Sequence, residues 1–199
     1  FDPTTAEAKE AARFFGFWRK RLFNKPIPEG DDGFIYIPLQ GHLLDHRSFQ
    51  SCSPIEMIER TLAIFPQHKI LATLHPKEAY TQPEMDALER LEKTFPNLEL
   101  RLGQMGELLD RCAFVVTQNS SVAFNGYFFE KPTVLFGKVD FHHIALDGMQ
   151  VDGIEQIAAR KPDYAAYIYW YWQMQSINAG HPSAEDKITD RFKKYGWFK

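Results

Sequence analysis

Cysteine is almost missing from this chain: Cys52 and Cys112 are the only two among 199 residues. Two thiols so far apart in sequence do not make a disulfide framework, and they fit a reducing, cytosolic compartment. Long apolar runs are missing too. Nothing approaches the roughly 18 to 20 consecutive apolar residues of a membrane-spanning helix, so no transmembrane segment is expected. The opening, Phe-Asp-Pro-Thr-Thr-Ala-Glu, has neither the basic nor the apolar region of a secretory leader. It also lacks an initiating Met, which leaves open a processed chain or a piece of a longer one. Positive charge is not in excess: 23 Lys and Arg stand against 26 Asp and Glu, a formal net charge of -3. That balance gives no electrostatic case for nucleic acid. It does not exclude a small anionic ligand, for which local dipoles and a few donors suffice. There is no Walker loop, no dinucleotide-type glycine fingerprint and no serine in a nucleophile elbow, so a Ser/His/Asp hydrolase has no support.

What is present describes an ordinary globular protein, 44% hydrophobic and 25% charged, long enough for one well-cored domain. The aromatic share of 15%, with 17 Phe, predicts a thick core or an exposed docking face.

The periodicity predicts a helix over Ala6 to Phe23, capped by Thr4 or Thr5, with Phe14, Phe15, Phe17, Trp18, Leu22 and Phe23 crowding one side. Pro26, Pro28, Gly30 and Gly33 then break the chain. Beyond them, short β-rich runs alternate with helical segments. Strands are expected at Phe34 to Leu39, His68 to Leu74, Leu98 to Leu102, Ala113 to Thr117 and Pro132 to Phe136. Helices are expected at Pro54 to Phe65, Gln82 to Thr94, Met105 to Arg111 and Ser121 to Phe129. This alternation predicts an α/β fold, a Rossmann-like parallel sheet with helices on both faces. After Gly137 no further strand is expected. Val151 to Arg160, Asp163 to Ser176 and Ala184 to Tyr195 read as a C-terminal helical extension. The organisation is therefore a helix and linker over 1–30, a ligand-binding domain over 31–145, and helices over 146–199 packing on that domain.

Ligands of parallel sheets bind beyond the carboxyl ends of the strands, and the informative polar loops all follow strands. Asn119-Ser120-Ser121 opens a helix, where unpaired N–H groups and hydroxyls suit a phosphate; the plain alternative is a helix cap. In His75-Pro76 the proline keeps the imidazole off helical backbone at the end of its strand, ready to donate to an anion. The plain alternative is a loop histidine bonded to a neighbouring carbonyl. Gln40 to Ser48 adds Gln40, His42, Asp45 and His46. The His42/His46 spacing invites a metal site, but no third ligand follows, and none is assigned. Phe141-His142-His143 offers a weaker version of the same idea.

Read in order, Tyr36-Ile-Pro-Leu-Gln40, Asp45, Ser48, Phe65-Pro66, His75-Pro76, Val116-Thr-Gln-Asn-Ser-Ser121 and Lys131-Pro-Thr-Val-Leu-Phe-Gly137 resemble the donor-binding half of bacterial capsule polysaccharide glycosyltransferases. These are of the Kdo transferase type, with the bacterial sialyl- and polysialyltransferases as more distant relatives. The resemblance covers about residues 34 to 145. It implies the C-terminal half of a GT-B enzyme that binds a nucleotide-activated sugar, CMP-linked in this family, with no further cofactor. His75, Ser120 and Ser121 would hold the donor phosphate; Gln40, Asp45, Pro76, Asn119 and Asn125 would line the cleft. The acceptor would be a polysaccharide or glycolipid, met at an acceptor domain supplied by a partner or a second copy, in the cytoplasm or peripherally at the inner membrane. Three features depart from the family: the helix after Ser121 differs, Thr73 and Leu74 stand where a basic residue often precedes His-Pro, and the acceptor half that would supply the general base is not in the sequence. Ala123-Phe-Asn-Gly126 stands where the family has Gly-Phe-Glu-Ala, so Asn125 replaces a carboxylate that could bind the ribose. Asp31-Asp32-Gly33 matches an acidic motif of the sialyltransferases but precedes the first strand, and reads as a turn. Two other functions compete: a non-catalytic interaction module using the Tyr164 to Trp172 segment as its surface, and a metal-dependent hydrolase built on His42, Asp45 and His46.

Overall fold

The computed structural model describes residues 1–197. Each expected strand forms: β1 (Ile35–Pro38), β2 (Ile70–Leu74), β3 (Leu98–Leu102), β4 (Phe114–Thr117) and β5 (Thr133–Leu135). A sixth, β6 (Leu146–Asp147), pairs with β5 and corrects the expectation that strands end at Gly137. All pairings are parallel, in the order β3-β2-β1-β4-β5-β6.

Alternation along each strand assigns its side chains to two faces. Ile35, Ile37, Ile70, Ala72, Phe114, Val116, Val134 and Phe136 point to one face. There they meet α2 (Pro54–Ile64), α3 (Gln82–Thr94) and α6 (Ile154–Ala159) through Met57, Ile58, Leu62, Leu88, Leu91 and Ile157. Tyr36, Leu71, Val115 and Leu135 point the other way. They meet α1 (Ala8–Phe23), α4 (Met105–Leu108), α5 (Ser121–Tyr127) and α7 (Tyr164–Tyr169). The expected sheet with helices on both faces is present. The last helix, α8 (Ala184–Lys194), lies beside the segment that follows α7.

Three local expectations are corrected. Glu7, not Thr4 or Thr5, caps α1: its carboxylate accepts from the Lys9 and Glu10 N–H groups, while Thr4 and Thr5 sit in a 3-10 turn capped by Asp2. Phe17 and Leu22 are exposed, because six bulky positions span a wider arc than one helix can bury. Asp163 to Ser176 is not one α-helix: α7 gives way to a π-helical stretch, Trp170–Gln175. The wider turn lets three consecutive aromatics find partners. Trp170 meets His143 at 5.0 Å, Tyr171 meets Phe124 at 5.3 Å, and Trp172 meets Trp18 at 5.3 Å. The Tyr164 to Trp172 segment thus packs between α1 and α5, with Tyr164, Tyr167 and Ile168 buried and Tyr169 to Trp172 half-buried. Asp31-Asp32-Gly33 is a turn, with Gly33 at φ 75° and its N–H donating to Asp31 at 2.8 Å.

Candidate functional site

The strand order runs one way to β3 and then restarts on the far side of β1. The connections from β1 and β4 therefore leave on opposite faces, opening a crevice at the carboxyl edge between them. Register fixes what stands there. Pro38 is level with Thr73, and the Thr117 hydroxyl reaches the Pro38 carbonyl at 3.4 Å. Gln40, His75 and Ser120 thus lie two or three residues beyond one common level, on three adjacent strands. The strands that lead to His75 and Ser120, β2 and β4, are two strand spacings apart, about 10 Å.

His75 is exposed, and its backbone and ring are both engaged. Its N–H donates to the Tyr80 hydroxyl at 2.8 Å, and the Lys77 N–H donates to Nδ1 at 3.2 Å. A ring whose Nδ1 accepts carries its proton on Nε2, so a neutral His75 presents a donor. Pro76 is exposed beside it. Ser120 is buried and caps α5, its Oγ accepting from the Val122 N–H at 3.3 Å. That contact uses an oxygen lone pair and leaves the hydroxyl proton to donate. Ser121, the first residue of α5, is exposed; Asn125, one turn on, is half-buried. With seven residues α5 has a small dipole, so individual donors carry more weight here than the helix end.

The loop after β1 is fastened at both ends by residues that sequence reasoning missed. Glu84, near the start of α3, accepts from the Thr81 N–H at 2.7 Å and the Thr81 hydroxyl at 2.9 Å. Its other oxygen takes the buried Leu43 N–H at 2.5 Å. Burial pushes the Glu84 carboxyl up, but these bonds outweigh it and hold it below the usual carboxylate range. Further along, the loop crosses the crevice as a strap. The Ser51 N–H donates to the Phe136 carbonyl at 2.7 Å, and the Lys138 N–H to the Phe49 carbonyl at 2.7 Å. Gln50 Nε2 donates to Asn119 Oδ1 at 2.8 Å, and Gln118 Nε2 donates to the Cys52 carbonyl. Half-buried Gln40 and Asn119 stand at the two roots of this loop system, and Asp45 is exposed on it. The Thr81-x-x-Glu84 capping pattern was legible in the sequence; its bond across to Leu43 left no local signal.

Two hollows compete for attention. The larger, about 600 Å³, opens at the opposite, amino edge of the sheet among Asp31, Pro132, Arg160, Lys161 and Tyr164. None of the phosphate-type residues lies there. A hollow of about 560 Å³ opens at the carboxyl edge, between Ser51, Gly137, Lys138, His142 and Asp147, next to the strap, and it too is lined by none of the phosphate-type residues. Topology and donor chemistry favour the carboxyl edge. The metal-dependent hydrolase reading is corrected: among the described residues no group of three or more His, Cys, Asp or Glu is placed to hold a metal ion. His42 sits in left-handed backbone, φ 61°, so the i, i+4 spacing of His42 and His46 is not on a helix face. Among the described residues no helix is long and apolar enough to cross a membrane.

No protein-family model matches the sequence, and no curated protein matches it. Among solved structures the chain is similar to KpsC of Thermosulfurimonas dismutans, a beta Kdo 2,7 transferase. The TM-score is 0.51 at 17% identity, over 80% of this chain and 51% of that one. A structure of the wall teichoic acid polymerase TagF is matched with TM-score 0.43 and 11% identity, over 94% of this chain and 49% of that one. The chain spans about half the length of each of these structures. The likeness to the first shows the fold, a Rossmann-like parallel sheet flanked by helices, over about half of that structure.

Proposed function

We propose that this chain is the donor-binding domain of a glycosyltransferase of surface or capsular polysaccharide synthesis, taking a nucleotide sugar that is CMP-linked. The observation that carries the reading is the switch in strand order between β1 and β4, which sets His75, Gln40 and Asn119-Ser120-Ser121 on adjacent strand ends. In this reading the Nε2–H of His75 and the hydroxyls of Ser120 and Ser121 donate to the donor phosphate. Gln40, Asp45, Pro76, Asn119 and Asn125 line the same cleft. Charge builds on that phosphate as the glycosidic bond breaks, and donors fixed in advance stabilise it most at the transition state. Transfer is inverting, onto a polysaccharide or glycolipid whose hydroxyl is activated by a base from an acceptor domain. The chain works in the cytoplasm or at the inner face of a membrane.

Titration calorimetry with CMP, UDP and GDP tests this. CMP is expected to bind and cytidine to bind more weakly, the difference being the phosphate. His75→Ala should weaken CMP by about 1 to 3 kcal/mol, the worth of a hydrogen bond to a charged group, and leave cytidine unchanged. No heat with any of the three nucleotides at millimolar concentration refutes the proposal.

A further inference from the structure

Charge is segregated on this molecule in a way that the net value conceals. α1 carries five Lys and Arg against one Glu, and α8 carries four against three Asp and Glu, two of them in its first turn. Together they hold a surplus of five positive charges on a chain whose formal net charge is -3. The two helices belong to one surface. A groove lined by Glu10, Arg13, Phe17, Tyr169 and Gln173 runs between α1 and the segment after α7. A second, lined by Gln173, Met174, Lys187, Asp190, Arg191 and Lys194, runs between that segment and α8, so the two meet at Gln173. The Arg191 guanidinium fixes α8 there, donating to the Met174 and Gln175 carbonyls at 3.2 and 3.3 Å.

Large apolar groups stand exposed on the same helices. Phe17 is 55% exposed and Leu22 47% on α1, Tyr195 63% and Trp197 72% at the end of α8. Trp197 stacks on Phe192 at 5.0 Å, which leaves its other face open to solvent. On α8, Ile188, Phe192 and Tyr195 follow an i, i+4, i+7 spacing, and Lys187, Arg191 and Lys194 repeat it one residue earlier. An apolar stripe flanked by a cationic stripe, with Trp and Tyr at the tip, is the pattern of a helix lying in a membrane interface.

We infer that the surface formed by α1, the π-helical stretch and α8 docks on an anionic lipid surface. Charge complementarity selects this occupant. A second copy of the chain would bring the same positive field and be repelled. Nucleic acid would match the charge but would leave Leu22, Phe17 and Trp197 without an apolar phase to enter. The inference goes beyond the nucleotide-binding reading and does not depend on it.

Flotation with vesicles tests it. The chain is expected to float with equal parts phosphatidylglycerol and phosphatidylcholine, to stay behind with phosphatidylcholine alone, and to be released at high salt. Each lysine near an anionic surface is worth about fivefold in partitioning, so Lys187→Glu combined with Lys194→Glu should lower binding at least about 25-fold. Phe17→Ser combined with Trp197→Ser should also lower it; all four side chains are exposed, and an unchanged melting temperature certifies the fold. The inference is overturned by no flotation with the anionic vesicles, by equal flotation with neutral ones, or by binding that survives the lysine reversals. It is overturned equally by tighter binding to single-stranded DNA than to the vesicles. A dimer in solution that both double variants split would assign the face to a second copy instead.

Discussion

Replacing Glu84 with Ala removes one carboxylate that serves two elements. Its side chain is almost completely buried, and it accepts three hydrogen bonds. One of them, from the Thr81 N–H, is the Glu84 half of the capping box of α3, the Thr81 hydroxyl donates the second to the same oxygen, and loss of such a cap costs about 0.5 to 2 kcal/mol. The third satisfies the Leu43 N–H, beside a side chain with no exposure, and a buried donor left unpaired costs about 1 to 3 kcal/mol. Glu84→Ala should therefore destabilise the chain by about 2 to 4 kcal/mol, lowering the melting temperature by about 4 to 16 °C at this chain length. Urea unfolding monitored by tryptophan fluorescence measures it. The deficit should depend on pH. Because the folded carboxyl lies below its ordinary value of 4.5, the unfolded chain takes up the proton first, and stability rises with pH across that interval. The contribution is fully present above 4.5 and is lost as pH falls through the folded value, so wild type and Glu84→Gln should converge in acid. A Glu84→Ala variant within about 0.5 kcal/mol of wild type at neutral pH, the scatter of ordinary surface substitutions, would refute the reasoning.

Gly137→Ala should destabilise by about 1 to 3 kcal/mol, the usual cost of overpacking. A Cβ there would meet the Gln118 carbonyl oxygen at 2.6 Å, a backbone atom that cannot swing aside; an unchanged melting temperature would contradict it. Burial pushes the Cys52 thiol up to about 11 and the Cys112 thiol up to about 12. Both should resist iodoacetamide at pH 8 in the folded chain and react on unfolding, as read by mass spectrometry; rapid native labelling of Cys112 would count against the packing.

The parts of this fold that sequence reveals are those where one residue's neighbours in the chain decide its environment. Ile35, Tyr36 and Ile37 alternate between the two sheet faces, and the same period places Val115 against Val116. Two residues cannot show a period, so β6 (Leu146–Asp147) carried no signal between its 3-10 turn and Gly148. The π-helical stretch was hidden for a different reason. Its aromatics suit α and π turns equally, and the choice was made by Phe124 and Trp18, which are distant in sequence. The candidate site divides along the same line. That His75 and Ser120 follow strands is local, and so was visible. That Glu84 holds Leu43 across 41 residues, and Gln50 holds Asn119 across 69, is not.

The same geometry changes how the plain alternatives weigh against binding. A serine that caps a helix and a histidine bonded within its own loop look, in sequence, like residues already spoken for. Both bonds here consume acceptors: a lone pair on Ser120 Oγ, and Nδ1 on His75. A hydroxyl whose oxygen is engaged still has its proton, and an imidazole whose Nδ1 is engaged is fixed in the tautomer that donates from Nε2. Capping and phosphate holding are therefore successive uses of the same atoms. In the proposed reading, the bonds that order the loops leave the Ser120 hydroxyl proton and the His75 Nε2–H to donate to an anion, a preorganisation that would be effective as charge develops. A donor phosphate set against Ser120 and His75 would need neither the cap nor the loop bond to break, and so would bind without unfolding the ends of β2 and β4.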